Sequence, residues 1–384
     1  MTFEIGTVET RFFEFGSSLE PIKLRSGEQL SGVTLAYEVY GELNAARDNA
    51  ILVFHALTGS QHAAGFNPSV PGAASWTEEC QSGWWDEFIG PGRALDTDRF
   101  AVICVNYLGG CYGSTGPSSV NPDTDKPYGS SFPEVSFCDI VDSQIPLLDH
   151  LGIVRLHAVT GASVGGIMCL SLATRFPDRV RIVIPIAAGL RVTPLQLLHN
   201  FEQANAIITD ADFVGGDYYN GPNPDRGLAL ARMIGHKTFV SLQAMEERAR
   251  DEAVGNKFAG PIRISNPLES YMWYQGQKFV QRFDANSYLR LMQAWQTSDL
   301  LSEAGVSNFG ELFSPCQHQR HIVFSIDSDV CYYPEEQVAL VAALKQAQVP
   351  VRHVTVHSDK GHDAFLLEPE LFEPHLTQTL QAWT

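Results

Sequence analysis

The sequence has few positively charged residues and no long apolar segment. Its 384 residues include 26 Lys and Arg against 44 Asp and Glu, a formal net charge of -18. It contains no basic run that could neutralise nucleic-acid phosphates, so we expect no nucleic-acid partner. No apolar run approaches the ~18 residues that cross a bilayer, and the N-terminal segment lacks the pattern of a signal peptide. We therefore expect a cytoplasmic protein with no membrane partner.

Cysteine and histidine spacing gives no sign of a metal site. The seven cysteines are odd in number and include no CxxC pair, which indicates reduced thiols rather than a disulfide framework or a zinc site. His318 and His321 are three residues apart but have no third ligand nearby, a pattern more typical of surface or strand-edge histidines. We expect no bound metal.

Short apolar stretches indicate a parallel sheet. Hydrophobic residues make up 44% of the chain, enough for a large core. Six stretches rich in β-branched residues lack strict alternation, which is typical of strands buried on both faces. They lie at residues 50–56, 99–106, 156–162, 180–189, 321–326 and 351–356. A helical pattern at residues 137–152 lies between two of them, as in a βαβ unit, so we predict an α/β fold.

Strand patterns are absent between residues 190 and 305. This segment is helix-compatible and aromatic, and the strand pattern resumes after it. The sequence therefore predicts an α/β core formed by residues 1–189 and 306–384. Residues 190–305 are predicted to form an inserted helical lid.

The segment GASVG places Ser163 between Gly161 and Gly165, after a predicted strand and before a helix-length stretch. This is the strand–turn–helix context of the G-x-S-x-G nucleophile elbow. On such a tight turn the hydroxyl is exposed, and side chains at positions 161 and 165 would clash with the neighbouring strand and helix. The short pattern also recurs by chance, so an ordinary βα turn is the alternative.

A nucleophilic serine needs a base and an orienting acid later in the chain. His362 lies in a glycine-flanked loop after the last predicted strand, and Asp327 and Asp329 follow the strand before it. We prefer Asp329, because Asp327 lies closer to the strand end. An oxyanion hole needs two backbone N–H donors. We predict Val164, which follows the serine, and Leu57, in the loop after an early strand.

Longer motifs are more specific than the elbow. They include HALTG (55–59), NYLGGCYGSTGPSSVNP (106–122), RGLALARMIGH (226–236), ESYMWYQGQKF (269–279), RFDANSY (282–288) and KGHDAF (360–365). Together they resemble the homoserine O-acetyltransferase family of the α/β-hydrolase fold. The resemblance implies a mostly parallel central sheet flanked by helices, with the inserted helical lid. It also implies that acetyl-coenzyme A acylates the serine and that the acyl group passes to L-homoserine, a step of methionine biosynthesis.

The resemblance also implies roles for individual residues. Ser163, Asp329 and His362 would form the triad, with Leu57 and Val164 as oxyanion donors. Arg232 would bind the homoserine carboxylate, Asp363 its amino group, and Asn106 would help to line the active-site entrance. A guanidinium can donate two parallel hydrogen bonds to a carboxylate, which suits the role of Arg232.

The implied partners are an acyl-coenzyme A and L-homoserine, with no permanently bound cofactor. Members of the family are commonly homodimers joined through the lid helices, and we expect the same here. The chain departs from the family pattern at Phe239, where tyrosine is usual, and at Trp273 and Trp295, which replace smaller or polar lid residues. These changes leave open acetyl or succinyl as donor group, and homoserine, serine or another hydroxyl compound as acceptor.

Two other functions use the same residues differently. An esterase with the same triad would let water resolve the acyl-enzyme. A binding protein on a hydrolase fold would have lost activity, but the complete set of Ser163, Asp329 and His362 argues against it. Arg232 and Asp363 favour transfer over hydrolysis, because an esterase would not need them.

Overall fold

The computed structural model describes residues 5–251, 258–259 and 262–382. Its main feature is an eight-stranded sheet with the spatial order β1-β2-β4-β3-β5-β6-β7-β8. The strands are β1 (Arg11–Phe15), β2 (Val33–Tyr40), β3 (Ala50–Phe54), β4 (Ala101–Val105), β5 (Leu156–Ala162), β6 (Val180–Ile186), β7 (Arg320–Ile326) and β8 (Val351–Val356). The β1–β2 and β2–β4 pairs are antiparallel, and all the others are parallel.

Helices cover the sheet. The described helices are α1 (Phe137–His150), α2 (Val164–Arg175), α3 (Pro194–Ile208), α4 (Asp225–Phe239), α5 (Leu242–Asp251), α6 (Pro267–Val280), α7 (Ala285–Gln296), α8 (Leu300–Ala304), α9 (Phe309–Phe313), α10 (Pro334–Gln346), α11 (Ala364–Leu367) and α12 (Glu373–Gln381). Two-residue strand pairs join Ile22–Lys23 to Gln29–Leu30, Ile89–Gly90 to Leu95–Asp96, Val120–Asn121 to Lys126–Pro127, and Phe258–Ala259 to Ile262–Arg263. No described helix has the length and apolar character needed to cross a membrane.

Burial on both faces explains the apolar strands. Every residue of β3, β4 and β5 is buried. Along β3, Leu52 and Phe54 belong to one hydrophobic cluster, whereas Ile51 and Val53 belong to a second. Because successive side chains point to opposite faces, the sheet separates two apolar layers. The predicted α/β-hydrolase fold is confirmed, with each of the six predicted strands present.

The chain between β6 and β7 is mainly helical. Helices α3, α4 and α6 pack together, and α5 packs on α6. Near its end, α8 packs instead on core helix α2, where the Ser171 hydroxyl donates to Glu303 Oε2 at 2.7 Å. The pair formed by Phe258–Ala259 and Ile262–Arg263 lies in a segment for which no strand is predicted. Residues 252–257 and 260–261 of the predicted lid lie outside the described residues.

Candidate active site

The turn at Ser163 joins β5 to α2 with almost no space for side chains. Ser163 has φ 59° and ψ -127°, a conformation that non-glycine residues rarely adopt. A Cβ on Gly165 would lie 2.3 Å from the Phe54 carbonyl oxygen, and one on Gly161 would lie 2.7 Å from the same oxygen. Glycine at both positions therefore lets α2 begin directly against the end of β3, beside the segment that carries Leu57.

Asp329 and His362 meet at the carboxyl ends of β7 and β8. The His362 Nδ1 lies 2.7 Å from Asp329 Oδ2. The other oxygen, Oδ1, accepts the backbone N–H groups of Cys331 at 2.7 Å and Tyr332 at 2.9 Å, so the carboxylate is held from two sides. The rival carboxylate, Asp327, contacts a different histidine at the surface. Of the two candidates, only Asp329 is placed to orient His362.

The environment of His362 favours its protonated form. Burial acts to lower the pKa of His362, but the carboxylate of Asp329 and, more weakly, that of Asp363 raise it above the ordinary value of 6.5. Its Nε2 is buried and has no hydrogen-bond partner among the residues described. The ring thus has one nitrogen fixed by Asp329 and a second that can exchange a proton.

A cavity of about 320 Å³ brings most of the predicted site residues together. Its lining includes Ser163, His362, Leu57, Arg232 and Asp363. The side chain of Val164 is buried elsewhere, but only its backbone N–H is relevant. As the first residue of α2, it has an N–H group with no acceptor within the helix.

Asn106 does not line this cavity, which corrects the prediction that it lies at the entrance. Its side chain is 1% exposed. A Cβ on Gly110 would lie 2.9 Å from Asn106 Oδ1, so the amide is packed under the turn that follows β4. Its backbone carbonyl accepts a hydrogen bond from Ser114 Oγ at 2.6 Å. Asn106 is thus a buried residue of the loop after β4.

Arg232 extends from α4 and lies between aromatic rings. Its guanidinium carbon is 5.6 Å from the ring centroid of Phe239 and 5.1 Å from that of Phe279. Within the described part of the chain it makes no hydrogen bond or ion pair. Burial and the nearby positive charge of Arg282 lower the pKa of Arg232. The negative charge of Asp363 partly offsets this lowering. An arginine held in this way can bind a substrate anion.

Asp363 follows His362 directly and is joined to α4 by a hydrogen bond. Its backbone N–H donates to the carbonyl of Phe239, the last residue of α4, at 2.8 Å. Burial raises the pKa of the Asp363 carboxyl, whereas the positive charges of His362 and Arg232 act to lower it. A carboxylate and a guanidinium therefore face one cavity, an arrangement that can bind the ammonium and carboxylate groups of an amino acid.

Two of the three unusual aromatic residues lie in the cavity wall. Phe239 and Trp295 line it, whereas Trp273 does not. The Trp295 Nε1 donates to the Tyr332 hydroxyl at 2.6 Å, which connects the cavity wall to the loop that holds Asp329. Phe239 offers Arg232 a ring face and no hydroxyl.

Sequence reasoning missed several lining residues. These are Glu79, Trp84, Tyr112 and Arg282. Glu79 and Arg282 are neighbours in this lining, with Arg282 Nε 3.6 Å from Glu79 Oε1. Arg282 is the first residue of the RFDANSY motif, so this motif could have marked it as a candidate site residue. Nothing in the motif shows which residues Arg282 would contact.

Comparisons with known proteins assign the family. A model of the alpha/beta hydrolase fold matches residues 49–369. A homoserine O-acetyltransferase from Symbiobacterium thermophilum is 43% identical over 376 residues, covering 97% of this chain and 95% of that protein. The chain belongs to the homoserine O-acetyltransferase family. A homoserine O-succinyltransferase from Alkalilimnicola ehrlichii is also 43% identical, over 367 residues, covering 94% of this chain and 92% of that protein.

Solved structures of this family and of an esterase share the architecture. The homoserine O-acetyltransferase from Bacillus anthracis superposes with a TM-score of 0.86 at 26% identity, covering 97% of this chain and 98% of that one. Esterase E22 superposes with a TM-score of 0.85 at 28% identity, covering 97% of this chain and 100% of that one. Members of the homoserine O-acetyltransferase family and an esterase thus share one fold, so the choice between transfer and hydrolysis depends on the cavity.

Proposed function

We propose that this protein transfers an acetyl group from acetyl-coenzyme A to the side-chain hydroxyl of L-homoserine, a step of methionine biosynthesis. The observation that carries the proposal is one cavity in which Ser163 and His362 lie beside Arg232 and Asp363. The first two residues can form and resolve an acyl-enzyme, and the last two can bind an amino-acid acceptor.

In the first half-reaction, His362 Nε2 takes the proton of Ser163 as the serine oxygen attacks the thioester carbonyl. The backbone N–H groups of Leu57 and Val164 donate to the oxyanion that forms. The carbon–sulfur bond then breaks, the proton passes from His362 to the sulfur, and the free thiol leaves. The product is an acyl-ester on Ser163.

In the second half-reaction, Arg232 binds the homoserine carboxylate and Asp363 binds its ammonium group. His362 accepts the proton of the side-chain hydroxyl, whose oxygen attacks the acyl-ester carbon. The same oxyanion donors act again, the bond to Ser163 breaks, and the proton returns to the serine oxygen. Because the thiol leaves before homoserine reacts, the kinetics should be ping-pong, with parallel double-reciprocal plots.

The charges in the cavity favour acetyl over succinyl as the group transferred. Among the described residues, two arginines line the cavity. Arg232 is required for the acceptor carboxylate, and Arg282 already lies 3.6 Å from the Glu79 carboxylate and donates to the Thr58 carbonyl at 3.1 Å. A succinyl carboxylate would thus have to displace Glu79, whereas an acetyl group needs no cation.

The lid carries an exposed apolar face that supports a homodimer. Leu198 is 63% exposed, Phe201 67% and Ile208 53%, all on α3. An apolar face of this kind on a lid helix favours burial against a second copy of the chain. Seven unpaired cysteine thiols and the use of an acyl-coenzyme A support a cytoplasmic location.

The test combines an assay with detection of the intermediate. Release of free thiol is measured with acetyl- or succinyl-coenzyme A, each with homoserine, serine or no acceptor. We expect fast release only with acetyl-coenzyme A and homoserine, and a mass increase of one acetyl group on Ser163 when no acceptor is present. Continued turnover without an acceptor would indicate hydrolysis instead.

The variant Ser163→Ala provides the control for the nucleophile. It removes the covalent intermediate and leaves Leu57, Val164 and the acceptor-binding residues in place. We expect its rate to fall on the order of 10³-fold or more. A folded Ser163→Ala protein that turns over at a rate close to that of the wild type would refute the acyl-enzyme mechanism.

A further inference from the structure

The proposed oxyanion donor Leu57 lies in a four-residue turn. The N–H of Gly59 donates to the carbonyl of Ala56 at 2.9 Å, so Leu57 and Thr58 are the two central residues. The His55 Nδ1 lies 2.7 Å from the same Ala56 carbonyl. Both of these contacts are made to the Ala56 carbonyl. Neither of them uses the Thr58 carbonyl.

Arg282 contacts that carbonyl from the lid. It lies in the loop between α6 and α7, and its Nη1 donates to the Thr58 carbonyl at 3.1 Å. Thr58 and Arg282 are 224 residues apart in the sequence. This hydrogen bond therefore joins the lid directly to the turn that carries the Leu57 N–H.

The Arg282 side chain is fixed by further contacts. Its Nη1 also donates to the Tyr112 hydroxyl at 3.4 Å, and its Nε lies 3.6 Å from Glu79 Oε1. The Tyr112 hydroxyl in turn donates to the backbone carbonyl of Arg282. The side chain is only 16% exposed. Both ends of Arg282 are thus anchored, which restricts the position of the guanidinium that holds Thr58.

Arg232 and Arg282 lie against the same ring but make different contacts. Their guanidinium carbons are 5.1 Å and 5.2 Å from the Phe279 centroid. Among the described residues, Arg282 donates to a backbone carbonyl of the oxyanion turn and Arg232 does not. One arginine is therefore free for a substrate, and the other is engaged by the protein.

We propose that Arg282 is a positioning residue that sets the oxyanion turn from the lid. An oxyanion donor acts only when it lies within about 2.7–3.1 Å of the developing charge, so a small rotation of the turn would weaken it. The inference rests on the acyl-enzyme mechanism proposed above. Both half-reactions use the same oxyanion donors, so both depend on Arg282, whereas binding of the acceptor carboxylate depends on Arg232.

The experiment measures the two half-reactions separately in the full-length protein. Thiol release from acetyl-coenzyme A without acceptor gives the acylation rate, and transfer from isolated acetyl-enzyme to homoserine gives the deacylation rate. For Arg282→Gln we expect both rates to fall by the same factor, about 10-fold to 100-fold. This loss should be smaller than the loss of about 10²–10³-fold that follows removal of an oxyanion donor itself. The KM for homoserine should stay close to that of the wild type.

Lys278→Gln is the matched control. Lys278 also pairs with Glu79, at 3.1 Å, but it has no contact with Thr58 and does not line the cavity. We expect both of its rates to match the wild type. Arg282→Lys keeps the charge without the guanidinium geometry and should recover only part of the loss. If Arg282→Gln does not fold, Tyr112→Phe is the substitute, because it removes the hydroxyl that anchors Arg282. It should lower the acylation and deacylation rates equally, but by less than about 10-fold.

Other outcomes would overturn the inference. Unchanged single-turnover rates with a raised KM for acetyl-coenzyme A would assign Arg282 to donor binding. Loss of the deacylation rate alone would assign it to the acceptor. If either result is found and the wild type still carries an acetyl group on Ser163, only the role of Arg282 is refuted. The proposed function then stands. Absence of acetyl-Ser163 in the wild type would refute the mechanism itself.

Discussion

His362 Nδ1 lies 2.7 Å from Asp329 Oδ2, and the two side chains are 2% and 0% exposed. A buried carboxylate at this distance stabilises the imidazolium, which explains why the pKa of His362 lies above its ordinary value despite burial. The proposed base must lose its proton before it can accept one from Ser163. Activity is therefore expected to disappear on the acid side of that raised pKa.

The first prediction concerns this pH dependence. The rate of Ser163 acylation should rise with pH through an inflection above 6.5, because only neutral His362 acts as a base. In Asp329→Asn, burial lowers the pKa of His362 without the main opposing charge, so the inflection should move to lower pH. The maximal rate should fall by roughly 10³- to 10⁴-fold, because the ring is no longer held in the required tautomer. Single-turnover thiol release across pH measures both effects.

Asp327→Asn is the control for that change. Asp327 lies two residues away and contacts the surface histidine His357 at 2.8 Å. The same substitution there should leave the inflection and the maximal rate unchanged. An inflection in Asp329→Asn that stays in place or moves to higher pH would contradict the assignment of Asp329.

The fold shows which strands the sequence can and cannot predict. Five of the six parallel strands were predictable because they are buried almost throughout. The sixth, β8, is present, but the prediction that it is buried on both faces was wrong: it lies at the sheet edge, where Arg352 and Thr355 are exposed. Strand β2 was missed because it carries Glu38, which is fully buried and accepts hydrogen bonds from Thr10 at 2.7 Å and Asn67 Nδ2 at 2.9 Å. A charged residue within a buried strand is stabilised by partners on other segments, and local sequence does not reveal them.

The same limit applies to the site. The elbow glycines, and the order of serine, acid and histidine, follow from local turns and chain order, so they could be proposed from the sequence. The contact between Arg282 and Thr58 joins residues 224 apart in the sequence, and no local pattern encodes it. Asn106 was misplaced for a similar reason, because the turn after β4 buries its side chain.

A second prediction tests the acceptor-binding residues. Arg232→Lys keeps a positive charge but loses the two parallel N–H groups that a carboxylate can accept from. Acylation of Ser163 involves no amino-acid carboxylate and should stay close to the wild-type rate. The KM for homoserine should rise and the deacylation rate should fall, about 10-fold or more for loss of a charged hydrogen bond. The two half-reactions are measured separately.

Arg191→Lys is the matched control for Arg232→Lys. Arg191 also lies over an aromatic ring, with its guanidinium carbon 5.4 Å from the Phe309 centroid, but it does not line the cavity. Both half-reactions should be unaffected by this change. Equal damage to both half-reactions in Arg232→Lys would mean that the arginine serves the donor or the lid rather than the acceptor.

A third prediction concerns the stability of the elbow. Gly165→Ala places a methyl group 2.3 Å from a backbone oxygen of β3, which cannot move without displacing the strand. The free energy of unfolding should fall by about 1–3 kcal/mol, the usual range for overpacking. Thermal and denaturant unfolding measure the change. Gly32→Ala is the control, because its new methyl group meets no atom within 4 Å, and this variant should be as stable as the wild type. If Gly165→Ala were as stable as Gly32→Ala, the close approach of α2 and β3 would be contradicted.

The last prediction addresses the association of the chain. Phe201 is 67% exposed on α3, and Leu198 beside it is 63% exposed, so the lid presents an apolar surface that a second copy would cover. A charge at the centre of such an interface loses its hydration without gaining a partner, so Phe201→Asp should convert a dimer into a monomer. Light scattering combined with size-exclusion chromatography gives the mass directly. Val338→Asp is the control, because Val338 is 55% exposed but lies on core helix α10, and it should leave the mass unchanged. A wild-type protein that is monomeric at high concentration, or a Phe201→Asp protein that remains dimeric, would show that α3 is not the interface.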